Sequence, residues 1–330
     1  MYAITGITGQ IGGVIGRVLL AAGQPVRAVV RDAGKGQAWA DRGCEVALAT
    51  IEDAVSLAAA FQGTEGVFVL VPPNFDPRPE FPEAQAIGVA LRSALEAARP
   101  ARVVYLSTIG AQAGQPNLLS QHTIIERALG DLPVSTTFLR PAWFMENCRW
   151  DVAPALEQGV IPSFLQPLDK PVPMVAAADI GRVAAGLLQE KWSGRRVVEL
   201  EGPQRVAPNE IASTFAKLLG RPVRMEAVPR ESWEGLFKSQ GTKNPLPRMQ
   251  MLDGFNEGWI EFENGEAGSQ KGSVALESVL KALIEGEGMP TLIEHFGFWL
   301  LVAQRLARMA EAPNQSLHLT TGRRDDQLDL

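Results

Sequence analysis

The chain has 330 residues, 46% hydrophobic and 21% charged, the proportions of a globular protein with one large core and a lesser subdomain. Its net charge of −6 and pI near 5.3, with Lys and Arg mixed among Asp and Glu, exclude a general attraction to nucleic acid or an anionic membrane. The two cysteines, Cys44 and Cys148, stand far apart in no metal-ligand spacing, so they are expected as small buried apolar residues in a reducing compartment, with no metal.

Tyr2–Thr5 reads as a buried strand, and the glycine-rich stretch Thr5-Gly6-Ile7-Thr8-Gly9-Gln10-Ile11-Gly12 follows it. Ile11, Val14, Ile15, Val18 and Leu19 then recur at i, i+3, i+4, i+7 and i+8, the buried stripe of a helix, which Gly23 ends. Strands are predicted at Val26–Arg31, Val67–Pro72, Arg102–Thr108 and Val134–Arg140. Helices are predicted at Asp53–Phe61, with Asp53 as N-cap, at Glu80–Ala98 and at Leu119–Leu129. Short apolar strands alternating with amphipathic helices predict an α/β fold, a Rossmann-type doubly wound parallel sheet with helices on both faces. Ligands of such sheets sit beyond the carboxyl ends of the strands, so the residues there are the candidates for chemistry.

The rhythm loosens past about residue 150, where GVIPSFLQPLDKPVPM is proline-rich. A helix with Asp179 near its start and a strand at Arg195–Gly202 suggest a return to the sheet at about 175–203, and another helix runs from about Asn209 to Leu219. The expected division is a dinucleotide-binding Rossmann domain over 1–150, completed by about 175–203. Residues 151–174 and 204–296 would make a smaller C-terminal α+β substrate lobe, and 297–330 a terminal helix and a tail without periodic apolar pattern. The apolar stretch FGFWLLVAQRLARM is broken by Arg305 and Arg308 and falls short of the ~20 residues a spanning helix needs. The glycine loop begins within six residues of Met1, leaving no room for a targeting segment, so a cytoplasmic protein is expected.

Three glycines between a strand and a helix suit a dinucleotide pyrophosphate, held by backbone N–H groups at the positive end of the helix dipole. Gly6, Thr8, Gly9, Gln10, Ile11 and Gly12 are therefore candidate cofactor-binding residues. Arg31 ends the second strand, where a cation suits a 2′-phosphate; with Lys35 nearby it favours NADPH over NADH, although the intervening Asp32 works against that preference. Val71 and Pro72, at the end of the next sheet strand, belong to a loop that would pass the cofactor.

The GxxGxxG spacing resembles the short-chain dehydrogenase/reductase superfamily, whose members commonly use a Tyr-x-x-x-Lys pair. That pair is absent: the chain has two tyrosines, Tyr2 and Tyr105, followed four residues later by Gly6 and Ile109. Ser107 stands at the end of its strand in the position of the superfamily's serine, and aligning Glu126 with the superfamily's acidic position puts His122 where the lysine would be. TGITGQIG, VVYLSTIGA, the HTIIE helix and LRPAWFMEN (Leu139–Asn147) together resemble the NmrA-like family of atypical short-chain dehydrogenases over residues 1–290. That resemblance implies an NADPH-dependent oxidoreductase passing hydride to a quinone or similarly activated acceptor, with Ser107 and His122 as catalytic residues. Pro141, Trp143 and Phe144 would wall the nicotinamide. His122 could equally pair with Glu126 one turn on. Family members with a regulatory role imply an alternative: an NADP(H) redox sensor that binds dinucleotide without turnover and acts on a protein partner. The partner is thus a small-molecule acceptor or a regulatory protein, with oligomeric state left open. Thr50 stands where the family often has an acidic residue.

Overall fold

A computed structural model of the chain describes residues 1–286. In chain order its first half runs β1 (Tyr2–Thr5), α1 (Gln10–Ala21), β2 (Val26–Val30), α2 (Ala33–Ala40), β3 (Glu45–Leu48) and α3 (Ala54–Phe61). It continues through β4 (Gly66–Val69), α4 (Pro82–Ala98), β5 (Arg102–Leu106), α5 (Ser120–Leu129), β6 (Ser135–Pro141) and β7 (Trp143–Phe144). After a 3₁₀ turn at Met145–Cys148 come α6 (Arg149–Glu157), β8 (Val160–Ser163), β9 (Met174–Val175), α7 (Ala177–Gln189), β10 (Arg195–Glu201) and α8 (Pro208–Leu219). The remainder is β11 (Arg224–Ala227), α9 (Trp233–Ser239), α10 (Leu246–Glu257), α11 (Gly265–Gly268), β12 (Gln270–Lys271) and α12 (Leu276–Ile284).

Eight strands form one parallel sheet in the order β12-β10-β6-β5-β4-β1-β2-β3. Every residue of β1, β4 and β5 is buried, as expected of strands covered on both faces. Alternation divides them: Tyr2, Ile4, Phe68, Val104 and Leu106 join the core under α1 and α7, while Ala3, Val67, Val69, Val103 and Tyr105 join the core under α3, α4 and α5. The strand order reverses between β1 and β4, which makes their carboxyl ends the switch point of the sheet.

Two details depart from the predicted elements. β4 stops at Val69, short of Pro72, because Pro72 and Pro73 have no N–H to give a ladder. β12 pairs with β10 in the main sheet, although the division by sequence put all of 204–296 in the smaller lobe. The rest of that region packs around β8 and β11, a separate parallel pair, with Phe215, Trp233 and Phe237 fully buried. The expected terminal helix and tail at 297–330, and the end of the lobe from 287, lie outside the described residues. Among the described residues no helix is long and apolar enough to cross a membrane.

Candidate active site

At the switch point Thr5 fastens β1 to the end of β4: its Oγ1 accepts from the Leu70 N–H at 2.7 Å and reaches the Phe68 carbonyl at 3.2 Å. The turn into α1 then needs glycine twice. Gly6 has φ +65°, and a Cβ on Gly12 would lie 2.3 Å from the Gly6 carbonyl oxygen. The Gly9 N–H bonds the Gly6 carbonyl at 3.0 Å and the Gly13 N–H bonds that of Gly9 at 2.9 Å. Gly9 is the N-cap of α1, so no side chain caps the helix, and its first turn carries no acid. Among the described residues nothing accepts from the N–H groups of Gln10, Ile11 and Gly12. These donors, at the positive end of a 12-residue helix, form a ready anion site. Thr8 and Gln10 are exposed beside it, whereas the Ile11 side chain is buried and offers the site only its N–H.

Arg31 follows β2, exposed and without a partner among the described residues. Asp32 is otherwise engaged: its Oδ1 accepts from the N–H groups of Gly34 at 2.7 Å and Lys35 at 3.3 Å, capping α2. After β3, the carboxylate of Asp53 likewise caps α3 through the Val55 N–H at 3.0 Å, so it does not stand in for the acid missing at Thr50.

The loop after β4 bridges the sheet to the rest of the molecule. Val71 packs on the core beneath α3 and α4 while Pro72 is exposed. Gln121 of α5 donates to the Asn74 carbonyl at 2.9 Å, and Asp76 accepts from the backbone N–H groups of Lys243 at 3.0 Å and Asn244 at 2.7 Å.

Tyr105 and Ser107, two residues apart on β5 and the turn that follows it, project to the same side, toward α5. The Tyr105 hydroxyl lies 2.7 Å from His122 Nδ1. Burial drives the His122 pKa down to about 4, against the opposing pull of the Glu126 charge, so the imidazole is neutral near pH 7. Burial also pushes the Tyr105 phenol well above its usual range, and Glu126 adds to that. With the phenol donating to Nδ1, the ring carries its proton on Nε2; the opposite tautomer would leave the buried Tyr105 O–H with no acceptor.

Ser107 and Glu126 form a second, separate pair. The Ser107 hydroxyl donates to Glu126 Oε1 at 2.5 Å, and Arg140, at the end of β6, grips both oxygens of the same carboxylate at 2.9 and 2.6 Å. Arg140 also reaches Glu263 at 3.0 Å. Burial alone would lower its pKa, but these carboxylates more than offset that. His122 is no surface partner of Glu126, because Glu126 is turned inward to Ser107 and Arg140. Ser107 is 3% exposed and its one proton is committed to Glu126, so it holds β5 to α5 rather than offering a donor outward.

Pro141 is buried at the end of β6. Trp143 and Phe144 form β7, which pairs with β9, and both side chains are half-buried against the core. The Trp143 ring meets Phe255 of α10 edge to face, with centroids 5.1 Å apart. Glu146 accepts from the Ala177 N–H at 2.9 Å and thereby caps α7. A cavity of about 230 Å³ lies away from His122, bounded by Gln10, Glu146, Ala176, Val279 and Leu283. Among the described residues no group of His, Cys, Asp and Glu side chains could hold a metal.

Tyr105, Glu126 and Arg140 complete the cluster around the residues foreseen. The signal for Tyr105 is its i, i+2 relation to Ser107; Arg140 lies among the strand-end candidates, but a strand-end arginine reads equally well as solvated.

Residues 2–264 match the model of the NmrA-like family. The chain is 28% identical to the NAD(P)H azoreductase of Xenophilus azovorans over 248 residues, 74% of this chain and 83% of that protein. It is 26% identical to quinone oxidoreductase 2 of Escherichia coli (strain K12) over 300 residues, 89% of this chain and 96% of that one. The crystal structure of an NADPH-dependent quinone oxidoreductase from Escherichia coli complexed with NADPH superposes with a TM-score of 0.67 at 25% identity, covering 93% of this chain and 100% of that one. This chain belongs to the NmrA-like family.

Proposed function

We propose that the protein is an NADPH-dependent oxidoreductase that reduces a quinone or a similarly activated small-molecule acceptor. The observation that carries this reading is the uncapped N-terminus of α1 at the switch point, with free N–H groups at Gln10, Ile11 and Gly12. Relatives named as NAD(P)H azoreductase and quinone oxidoreductase support it. NADPH, when bound, supplies the hydride. The α1 N-terminus would hold its pyrophosphate, and Arg31 with Lys35 its 2′-phosphate, Asp32 being withdrawn into its cap. The loop of Val71 and Pro72 would border the cofactor, and Pro141, Trp143 and Phe144 would wall the nicotinamide.

His122 acts here as a neutral Nε2–H donor that orients an acceptor oxygen. It is not the proton source, because giving up that proton would leave an imidazolate. Hydride transfer to a quinone leaves a hydroquinone monoanion, a phenolate that takes its one further proton from water, so the absent tyrosine–lysine pair is no obstacle. An alcohol–ketone interconversion, which needs a strong acid delivered to the oxygen, does not suit this site. Ser107 contributes position only, through Glu126.

The test is NADPH consumption by the purified protein with a panel of quinones and activated enones. Acceptor-dependent multiple turnover is the expected result; NADPH that binds and is never consumed overturns the enzyme reading. That second outcome would favour a redox sensor acting on a protein partner, a reading that gains from a cluster in which every polar group of Tyr105, Ser107, Glu126 and Arg140 is already paired. A sensor would distinguish NADP from NADPH by affinity.

A further inference from the structure

Arg27, Arg92, Arg196, Arg205 and Arg230 are half-buried, and each meets a carboxylate within 3.0 Å. Arg248 is also half-buried, yet it has no hydrogen-bond or ion-pair partner among the described residues. Its guanidinium lies over the Phe237 ring, 4.4 Å from the centroid. A ring face offsets part of the cost of withdrawing a cation from water and satisfies none of its five N–H donors. Burial holds its pKa below the ordinary arginine value, with no charge opposing that.

Its place in the fold gives this free fork a use. On α10, residues seven apart lie almost above one another, so Arg248 shares a face with Phe255, roughly 10 Å along the helix. Phe255 is the residue that meets Trp143. The same end of α10 is held against the carboxyl edge of the sheet from two further directions. The Leu118 N–H, just ahead of α5 and His122, donates to the Pro247 carbonyl at 2.8 Å, and Asp76 of the β4 loop holds Lys243 and Asn244. Arg248 thus stands one residue from the point where α10 joins the segment leading to His122.

We propose that Arg248 recognises an anionic substituent, a carboxylate or sulfonate, on an aromatic acceptor whose ring lies against the half-buried Trp143, which the buried Phe255 backs. The assignment rests on the oxidoreductase reading above and deepens it by naming the acceptor class. A planar oxyanion group would take two of the guanidinium donors side by side, replacing the solvation the half-buried cation has lost. Neutral acceptors would be bound by the aromatic wall alone.

The test uses two pairs of probes and the variants Arg248→Met and Arg248→Lys. Equilibrium binding compares 2-naphthalenesulfonate with neutral 2-naphthalenesulfonamide, and kinetics compare 1,4-naphthoquinone-2-sulfonate with 1,4-naphthoquinone. Wild-type protein should bind the sulfonate at least roughly tenfold tighter than the sulfonamide, the scale of a charge-assisted hydrogen-bond pair. Arg248→Met should bring that ratio close to one, and Arg248→Lys should keep a part of it. The ratio of kcat/KM for the two quinones should fall by the same factor between wild type and Arg248→Met, since the quinones' own reactivities cancel. Absence of the preference in the wild type, or its survival in Arg248→Met, overturns the assignment. If no quinone oxidises NADPH and the binding preference is nonetheless present and lost in Arg248→Met, the anion site stands and the oxidoreductase reading falls. Thermal melting checks the variants: replacing an unpaired guanidinium over Phe237 by an apolar chain should leave Tm level or raise it.

Discussion

The N-terminus of α1 and the cluster between β5, α5 and β6 are both at the carboxyl edge of one sheet, and they are built on opposite plans. At α1 the donors are left open, with no side-chain cap and no acid in the first turn. In the cluster every polar group but the His122 Nε2–H is already paired, Tyr105 with His122 Nδ1 and Ser107 with Glu126, which Arg140 holds in turn. Open donors recognise something from outside, whereas closed pairs fix geometry. Changes in the cluster should therefore appear first as lost stability, and changes at α1 as lost affinity.

The largest effect that divides the two regions should come from Glu126→Gln. It keeps the shape of the side chain but leaves the Arg140 guanidinium, 5% exposed, without its bidentate carboxylate. Breaking a buried pair from one side costs about 3–5 kcal/mol. For a chain of this size that corresponds to a fall in Tm on the order of 10 °C by calorimetry. NADPH affinity of the folded variant should change little. A variant as stable as the wild type would mean that Glu263, 3.0 Å from the guanidinium, and the buried Glu199, 3.8 Å from it, suffice to hold Arg140.

Gly12→Ala should show the reverse pattern. The added Cβ would sit 2.3 Å from the Gly6 carbonyl oxygen and 2.8 Å from Ile7 Cα, both backbone atoms, so the loop itself must move. NADPH binding, followed by fluorescence, should weaken by roughly 100-fold, about 2.7 kcal/mol. Unchanged affinity would remove the α1 N-terminus from the cofactor site.

How much of this could be read in the sequence follows the same division. The glycine loop was legible because its constraints are local: three glycines between an apolar strand and a periodic helix fit a tight phosphate-binding turn and little else. The alternating strands and helices made the parallel sheet legible for a similar reason. The cluster was legible only in part, since its contacts join residues distant in sequence. His122 and Glu126 share one helix, and their i, i+4 spacing suggested a pair; the fold turns one toward Tyr105 and the other toward Arg140. Strand β12, two residues long, has no periodicity to detect and is placed by tertiary pairing with β10. Arg248 was invisible for a related reason: a cation is notable only once its neighbours are known to hold no carboxylate.

Arg31→Ala sharpens the account of the open region. Loss of one cation facing a 2′-phosphate should weaken NADPH roughly tenfold while NADH affinity stays level, about 1.4 kcal/mol of selectivity. Equal weakening of both cofactors would show that Arg31 does not read the 2′-phosphate and would leave the choice of cofactor to other groups.

The smallest effect, Tyr105→Phe, tests the internal order of the closed region. At pH 7 it removes one buried hydrogen bond, a loss of about 1 kcal/mol. Its dependence on pH says which way that bond runs. The folded His122 titrates at about 4 and a free imidazole near 6.5, so in this window the unfolded chain takes up a proton that the folded chain refuses. Stability from this group is therefore whole above about pH 6.5 and is lost progressively as pH falls toward 4. Asp151 opposes that trend, because burial raises its carboxyl to about 7: it costs stability as pH climbs from its unfolded value to 7, and relieves that cost on acidification. The wild-type profile mixes these with other shifted carboxyls, among them Glu146, which burial also raises, but the difference between wild type and Tyr105→Phe cancels Asp151 and Glu146 alike. If the phenol donates to Nδ1, that bond exists only with the neutral ring, so its loss raises the His122 pKa and the difference in Tm shrinks as pH falls from 6.5 to 4. If instead Nδ1–H donates to the phenol oxygen, protonation of the ring leaves the bond intact and the difference stays flat. A flat difference would put the imidazole proton on the buried side and take from His122 the outward Nε2–H donor on which its proposed part in binding the acceptor depends.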